Sequence, residues 1–379
     1  MVRSSTLLPI LFAGLTAASP TAHLTHPSRN DSRVSLAGQV FAIRPLQNAY
    51  LPSDKSPSVN IIGLAWDMSV LGSAFSEFEA TNCNASYDVY PYYDPPEHYT
   101  EWRAQGFNLF RVPVGWQHLQ DDLRSELNQT TLQHLDGLID AITNDGSTAI
   151  LDVHNYARWY CSVIGQPESN LPWLSNKTVT DDDFVDLWVK LARHYHENPH
   201  VMFQLMNEPH DLNITKWAHT NQNVINAIRH LNATQPILIS GTQFARLTNW
   251  QDYSQAALST ITDPLDNTLY DFHQYFDDDG GAYGVCEPWS TFLPRYEEIT
   301  NFVRGSWRKA IMTEFGGAPV KACVELVESM LTYFEEHRDV WVGWTAWGSF
   351  NPGDLCLTME PESPFSTLTN VLKMHAPLT

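Results

Sequence analysis

Eight short apolar, β-rich runs recur along the chain, each followed by a stretch of different periodicity: Val59 to Trp66, Asn108 to Val114, Thr148 to His154, Val201 to Glu208, Ile237 to Gly241, Leu269 to Tyr275, Ala310 to Phe315 and Val340 to Trp347. Near-continuous apolar runs of this length read as strands buried on both faces, as in a parallel sheet covered by helices. The segments between them place apolar residues on one helix face. Leu132, Leu135, Leu138, Ile139 and Ile142 form one such face, and Val324, Val327, Met330, Leu331 and Phe334 another. Eight strand–helix units close into a barrel, whereas a doubly wound sheet stops at about five to seven strands and carries a Gly-rich phosphate loop after the first. No such loop follows Trp66. The pattern predicts the α/β class, a single (β/α)8 TIM barrel over residues 58–379.

The start of the chain follows a different logic. Arg3 precedes an apolar run from Leu7 to Leu15 and then the small residues Ala17-Ala18-Ser19, the layout of a secretory signal peptide over residues 1–18. That run is shorter than the roughly 20 apolar residues that span a membrane. Residues 19–57 contain Pro and Ser without periodicity and read as an N-terminal arm. Six sequons, at Asn30, Asn84, Asn128, Asn176, Asn213 and Asn232, fit a secreted, extracellular glycoprotein. The five cysteines allow at most two disulfides, leave at least one thiol over, and match no zinc spacing.

Charge narrows the partners. With 22 Lys and Arg against 43 Asp and Glu the net charge is −21, unsuited to nucleic acid or an anionic membrane surface and better suited to a neutral substrate. The acidic run Asp277-Asp278-Asp279-Gly280-Gly281 lacks the terminal bidentate Glu of a calcium loop and reads as a solvated turn. No carboxylate lies at ligand spacing in sequence beside His154 or His273, so no metal or cofactor is expected, and the chain is expected to act as a monomer.

In a barrel of this kind the reactive groups sit at the C-terminal ends of the strands. Those ends are polar here: Arg111, His154 and Asn155, Asn207 and Glu208, His273 and Tyr275, Glu314, and Trp347. Glu208 follows Phe203-Gln204-Leu205-Met206 and Glu314 follows Ala310-Ile311-Met312-Thr313, so each carboxylate is delivered from an apolar strand into the barrel mouth. A lone strand-end Glu is more often a helix cap or the ion-pair partner of an Arg. Two that face each other across one barrel, with His and Tyr beside them, match what glycosidic cleavage requires: one group to protonate the leaving oxygen and one to attack the anomeric carbon. Asn207 is placed to hydrogen-bond a sugar 2-hydroxyl, Tyr275 and Arg111 to hold Glu314 ionised, and His154 and His273 to bind hydroxyls or orient the carboxylates. Among 13 Trp, the positions of Trp102, Trp188 and Trp217 predict packing, while Trp66, Trp116, Trp159, Trp250, Trp289 and Trp347 follow strand ends and could stack on sugar rings, two or three of them being core or rim instead.

The strings Phe110-Arg111-Val112-Pro113-Val114-Gly115-Trp116, Asp152-Val153-His154-Asn155-Tyr156-Ala157-Arg158-Trp159, Met206-Asn207-Glu208-Pro209-His210-Asp211, His273-Gln274-Tyr275 and Thr313-Glu314-Phe315-Gly316-Gly317 resemble glycoside hydrolase family 5, and within it the fungal endo-β-1,4-glucanases. The resemblance runs from about Asn60 to Phe350. It implies a retaining endo-glycosidase acting on a β-linked polysaccharide or oligosaccharide, with Glu208 as acid/base, Glu314 as nucleophile, and Arg111, His154, Asn207, His273, Tyr275 and Trp347 in support. It also implies a Cys286–Cys323 disulfide between the loops after the sixth and seventh strands; of the odd number of cysteines, Cys161 or Cys83 is the candidate for the thiol left over. Two segments depart from the family pattern: Leu64-Ala65-Trp66-Asp67-Met68, and a shortened loop after Trp347. Loops there line subsites, so β-mannan, β-1,3-glucan, transglycosylation and silent carbohydrate binding stay open beside β-1,4-glucan hydrolysis.

Overall fold

The computed structural model describes residues 61–66, 96–169, 178–276, 285–318, 320–348 and 366–376. The expected signal peptide, the N-terminal arm and the acidic run from Asp277 lie outside the described residues. Eight parallel strands, β1 (Ile61–Trp66), β2 (Leu109–Val114), β3 (Thr148–Val153), β4 (Val201–Gln204), β5 (Ile237–Ser240), β6 (Thr268–Tyr275), β7 (Lys309–Gly316) and β8 (Trp341–Gly348), close into a barrel in chain order, with β1 paired to both β2 and β8. Seven of the expected runs match these strands to within two residues at either end. The fourth does not. β4 stops at Gln204, and Glu208 lies beyond it with a left-handed φ of 41°. Pro209 follows it, which restricts the backbone of the residue before and donates no N–H to a ladder. Glu208 is therefore held by a strained loop rather than by a strand.

The helices between strands are α1 (Pro96–Arg103), α2 (Gln129–Thr143), α3 (Asp181–Tyr195), α4 (Ile214–His230), α5 (Leu247–Tyr253), α6 (Trp289–Ser306), α7 (Lys321–Glu336) and, after β8, α8 (Ser366–Met374). Their starts carry the chemistry that helix N-termini need. Asn128 and Asn213 accept from the first backbone N–H groups of α2 and α4, and Thr180 with Asp183 forms a capping box on α3. The predicted apolar faces of α2 and α7 are buried against the barrel, as are Trp102, Trp188 and Trp217. No helix of the described residues is long and apolar enough to cross a membrane.

The barrel interior is layered, and the layers position the site. Leu109, Ile150, Met202, Leu238, Leu269, Ile311 and Val342, one from each of β2 to β8, form an apolar cluster of their own. Side chains two residues apart on a strand share a face. On β2 to β7 the next layer toward the strands' C-terminal ends is accordingly Arg111, Asp152, Gln204, Ser240, Asp271 and Thr313, all buried and all polar, while on β8 the residue two positions on is the buried Trp344. Apolar packing thus ends abruptly one layer below the mouth.

Cys286 and Cys323 are bonded, with sulfurs 2.03 Å and Cα atoms 5.1 Å apart, tying the segment before α6 to α7 as expected. Cys161 is also disulfide-bonded, so it is not the odd thiol that the sequence pattern allowed.

Candidate active site

The buried polar layer is wired through Arg111, whose guanidinium has only donors. It donates through Nε to Gln204 Oε1 at 2.7 Å, through Nη1 to Glu314 Oε2 at 2.6 Å and through Nη2 to Asn207 Oδ1 at 2.7 Å, and pairs with Asp152 Oδ2 at 2.9 Å. The orientation of two amides follows. Asn207, its oxygen taken by Arg111, turns its nitrogen to His154 Nε2 at 3.1 Å, and His154 donates from Nδ1 to Asp152 Oδ2 at 2.7 Å. His154 is thereby spent on fixing Asn207 instead of facing a ligand, and Trp347 stacks on its ring at 5.6 Å.

Glu314 reaches the mouth through a β-bulge. The β6–β7 register shifts between Phe272 and His273, so that His273 pairs with Glu314. Thr313 and Glu314 then both approach the same imidazole, at 3.0 Å from Nε2 and 3.6 Å from Nδ1. The second oxygen of Glu314 accepts from the Tyr275 hydroxyl at 2.9 Å. Both its oxygens are thus occupied by donors from the protein, and the carboxylate is aimed rather than free to turn.

Glu208 has a different environment. Its Oε1 lies 2.8 Å from His273 Nδ1. Burial pushes its pKa up from the ordinary carboxylate value to about 7, against the pull of His154, Arg111 and Arg246. Burial likewise pushes His273 down, toward the neutral imidazole. Oxygens of Glu208 and Glu314 and a nitrogen of His273 lie within 4.8 Å of one another, so the carboxylates that sequence spacing did not place beside His273 come from the loop after β4 and from β7. Those atoms could admit a cation, although Glu208 and His273 already engage each other directly.

The sequence profile of the cellulases, glycosyl hydrolase family 5, matches residues 72–350. The chain belongs to that family. Among its relatives, endoglucanase EG-II of Hypocrea jecorina is 35% identical over 281 residues, 70% of this chain and 63% of the relative's own length. Endoglucanase 1 of Saitozyma flava is 36% identical over 285 residues, covering 71% of this chain and 80% of that protein. The solved structure of XacCel5A in complex with cellopentaose superposes with a TM-score of 0.72 at 28% identity, covering 84% of this chain and 99% of that one.

Within this family 5 barrel, Arg111, His154, Asn207, Glu208, His273, Tyr275, Glu314 and Trp347 converge, and Asn155 does not. Its amide accepts from the Trp116 backbone at 2.6 Å and donates to Gln117 Oε1 at 2.7 Å, pinning the loops after β2 and β3 together. The aromatic platforms shrink in number. Trp116, Trp159 and Trp250 are buried, Trp289 packs on Tyr296 and Tyr333, and the side chain of Trp66 is outside the described set. The rings of Trp116, Trp159, Trp250 and Trp289 follow strand ends in sequence but fold back to pack against helices and other core aromatics.

Sequence reasoning passed over Asp152, Gln204, Asp271 and Thr313. Asp152 and Gln204 interrupt apolar runs, Asp271 and Thr313 stand beside further polar residues of their strands, and each follows a residue of the apolar cluster by two positions, which was the signal available. Backbone strain gathers at the same end of the barrel. Tyr156, Ala157, Glu208, Asp211, Gln243, Phe244 and Ala245 all have positive φ, in the loops after β3, β4 and β5.

Proposed function

We propose that the chain is a secreted endo-β-1,4-glucanase that hydrolyses its substrate with retention of anomeric configuration. The observation that carries this reading is the unlike pair at the mouth. An oxygen of Glu208 and one of Glu314 lie within 4.8 Å, short of the roughly 6.5–9.5 Å that leaves room for an inverting water. One carboxyl has its proton held by burial and the other is held by two donors. The endoglucanase names of the relatives and the cellopentaose complex of XacCel5A support β-1,4-glucan as the substrate class. The leader pattern of residues 1–18 and the disulfides support an oxidising, extracellular setting.

In the first step Glu314 attacks the anomeric carbon while Glu208 gives its proton to the glycosidic oxygen. The bond to the leaving sugar breaks and a glycosyl ester forms on Glu314. Glu208, now ionised beside the neutral His273, takes a proton from an incoming water. The water oxygen bonds to the anomeric carbon, Glu314 is released and Glu208 is protonated again. Asn207, whose oxygen and one amide hydrogen serve Arg111 and His154, has its other amide hydrogen for the sugar 2-hydroxyl.

Purified full chain assayed on soluble β-1,4-glucan, β-mannan and β-1,3-glucan, scored by reducing ends and by the anomer first released, tests the reading. Rapid loss of β-1,4-glucan viscosity with β-anomeric products is the expected result. Preference for mannan or β-1,3-glucan would overturn the substrate, initial α-products the mechanism, and binding without turnover the enzyme itself.

A further inference from the structure

Below the two glutamates a second chain of hydrogen bonds runs from Arg111 to His273, and its direction can be worked out atom by atom. Arg111 donates to Gln204 Oε1, so the Gln204 amide nitrogen faces the other way, to Asp271 Oδ2 at 2.7 Å and Thr313 Oγ1 at 3.2 Å. The Thr313 hydroxyl, 2.5 Å from Asp271 Oδ1, gives its only hydrogen to that carboxylate. At 3.0 Å from His273 Nε2 the same oxygen can then only accept, so the ring nitrogen there must carry a hydrogen. A neutral ring has one N–H, which leaves Nδ1 as a lone pair, and Glu208 Oε1 lies 2.8 Å from it. All these groups except Glu208 are essentially without solvent exposure, so no water competes for the bonds.

We propose that Thr313 and Asp271 are positioning residues that lock His273 in its Nε2–H form, presenting a bare Nδ1 that keeps the catalytic proton on Glu208. This rests on the reading of Glu208 as the acid. Neither residue touches the reacting atoms; each acts through His273. The direction of the chain originates in Arg111, which fixes the Gln204 amide and therefore couples the nucleophile's anchor to the acid's proton. The groups facing Glu208 and His273 are Arg111 from β2, Asp152 from β3, His154 and Tyr156 after β3, Arg246 after β5, Asp271 and Tyr275 from β6, and Glu314 from β7. None is altered by a change at Thr313.

The variants Thr313→Val and Thr313→Ser separate this role from simple packing. Valine removes the acceptor for Nε2–H. The ring then shifts its hydrogen to Nδ1, facing an ionised Glu208, and the pair releases one proton to solvent at lower pH. The alkaline limb of the kcat/KM profile on soluble β-1,4-glucan is expected to move down by about one pH unit, with about a tenfold loss above it. An activated aryl glycoside, which needs little protonation, is expected to be spared in its glycosylation step. Thr313→Ser keeps the hydroxyl and should keep the wild-type profile. Independently, the full chain labelled with [15N]histidine, with His273 assigned by its loss in His273→Gln, should show hydrogen on Nε2 and none on Nδ1 at pH 6. A Thr313→Val limb at the wild-type position, a Thr313→Ser limb shifted as far as that of valine, or a hydrogen on Nδ1 of wild-type His273 would overturn the proposal. Absence of turnover on every glucan would sink the hydrolase reading, and the nitrogen spectrum would still decide the tautomer.

Discussion

Arg111 Nη1 donates to Glu314 Oε2 across 2.6 Å from a guanidinium with no solvent exposure. The same group pairs with Asp152 at 2.9 Å, so one cation answers two buried carboxylates. Removing one partner of such a pair leaves uncompensated charge in a dry interior. Arg111→Ala is expected to lower folding stability by about 3–5 kcal/mol, read from chemical denaturation, and to abolish turnover. Arg111→Lys keeps the charge but cannot supply the fork that orients Gln204 and Asn207. It should fold more stably than the alanine variant and still lose most of kcat. Equal stability of all three proteins would contradict the wiring described.

Tyr275 holds the other oxygen of Glu314 at 2.9 Å and is itself half-buried at the rim. Tyr275→Phe removes one hydrogen bond to a carboxylate and little packing. A bond of that kind contributes about 1.5–3 kcal/mol, so kcat/KM should fall about 10- to 100-fold with the melting temperature nearly unchanged. A large loss of stability with no kinetic effect would show the hydroxyl to be structural.

The barrel was legible because its signal repeats. Eight apolar runs at similar spacing over-determine the topology, so even a misjudged end, as at β4, leaves the strand count intact. The two glutamates were legible because charge at the end of an apolar run is costly without a purpose. The layer beneath them was not. Asp152, Gln204, Asp271 and Thr313 are polar letters in buried strands, and apart from the local Asp152–His154 bond their meaning depends on partners far away in sequence, 31 residues for Ser240 with Asp271 and 109 for Gln204 with Thr313. The bulge that turns Thr313 and Glu314 toward one imidazole leaves no composition signature. The tryptophans misled for a related reason: position after a strand does not determine which way a ring folds.

Glu208 makes both stability and activity depend on pH, with a sign fixed by its raised pKa. The ordinary value is 4.5 and the folded value about 7. The folded protein therefore keeps a proton that the unfolded chain has released between those values. Its contribution to stability is fully present below about pH 4.5 and is lost as pH rises through about 7. Glu208→Gln carries no such proton. Thermal melts should coincide for the two proteins near pH 4 and favour the variant at pH 8. A constant offset at every pH would count against a buried, proton-holding Glu208. Wild-type kcat/KM should decline above about pH 7 as the acid is lost.

The Cys286–Cys323 bond closes a stretch of 37 residues that includes α6 and β7. Loop-closure entropy for that length corresponds to about 3–4 kcal/mol. The double Ser variant should lose stability of that order, measured by urea denaturation, while its specific activity at 25 °C stays close to wild type. A drop in activity at full stability would instead mean that the bond shapes the cleft.

The division of labour between the two carboxyls can be read from products as well as rates. If Glu314 is the nucleophile, Glu314→Ala leaves a cavity where the ester would form. Azide entering it attacks the anomeric carbon directly, and the product is a glycosyl azide of inverted, α configuration. Glu208→Ala should behave differently, because its nucleophile is intact. On unactivated β-1,4-glucan it should lose about 10²- to 10⁴-fold, the usual contribution of a positioned proton donor. On an aryl glycoside with a good leaving group the ester on Glu314 should still form. Azide then replaces the water that Glu208 can no longer activate, and two successive inversions give a β-azide. The two azides are distinguished by the coupling constant of the anomeric proton. An α-azide from Glu208→Ala, or a β-azide from Glu314→Ala, would exchange the two roles. Failure of azide to rescue either variant on the aryl glycoside, with both folded, would argue that no glycosyl ester forms and that the short separation of the carboxyls serves some other chemistry.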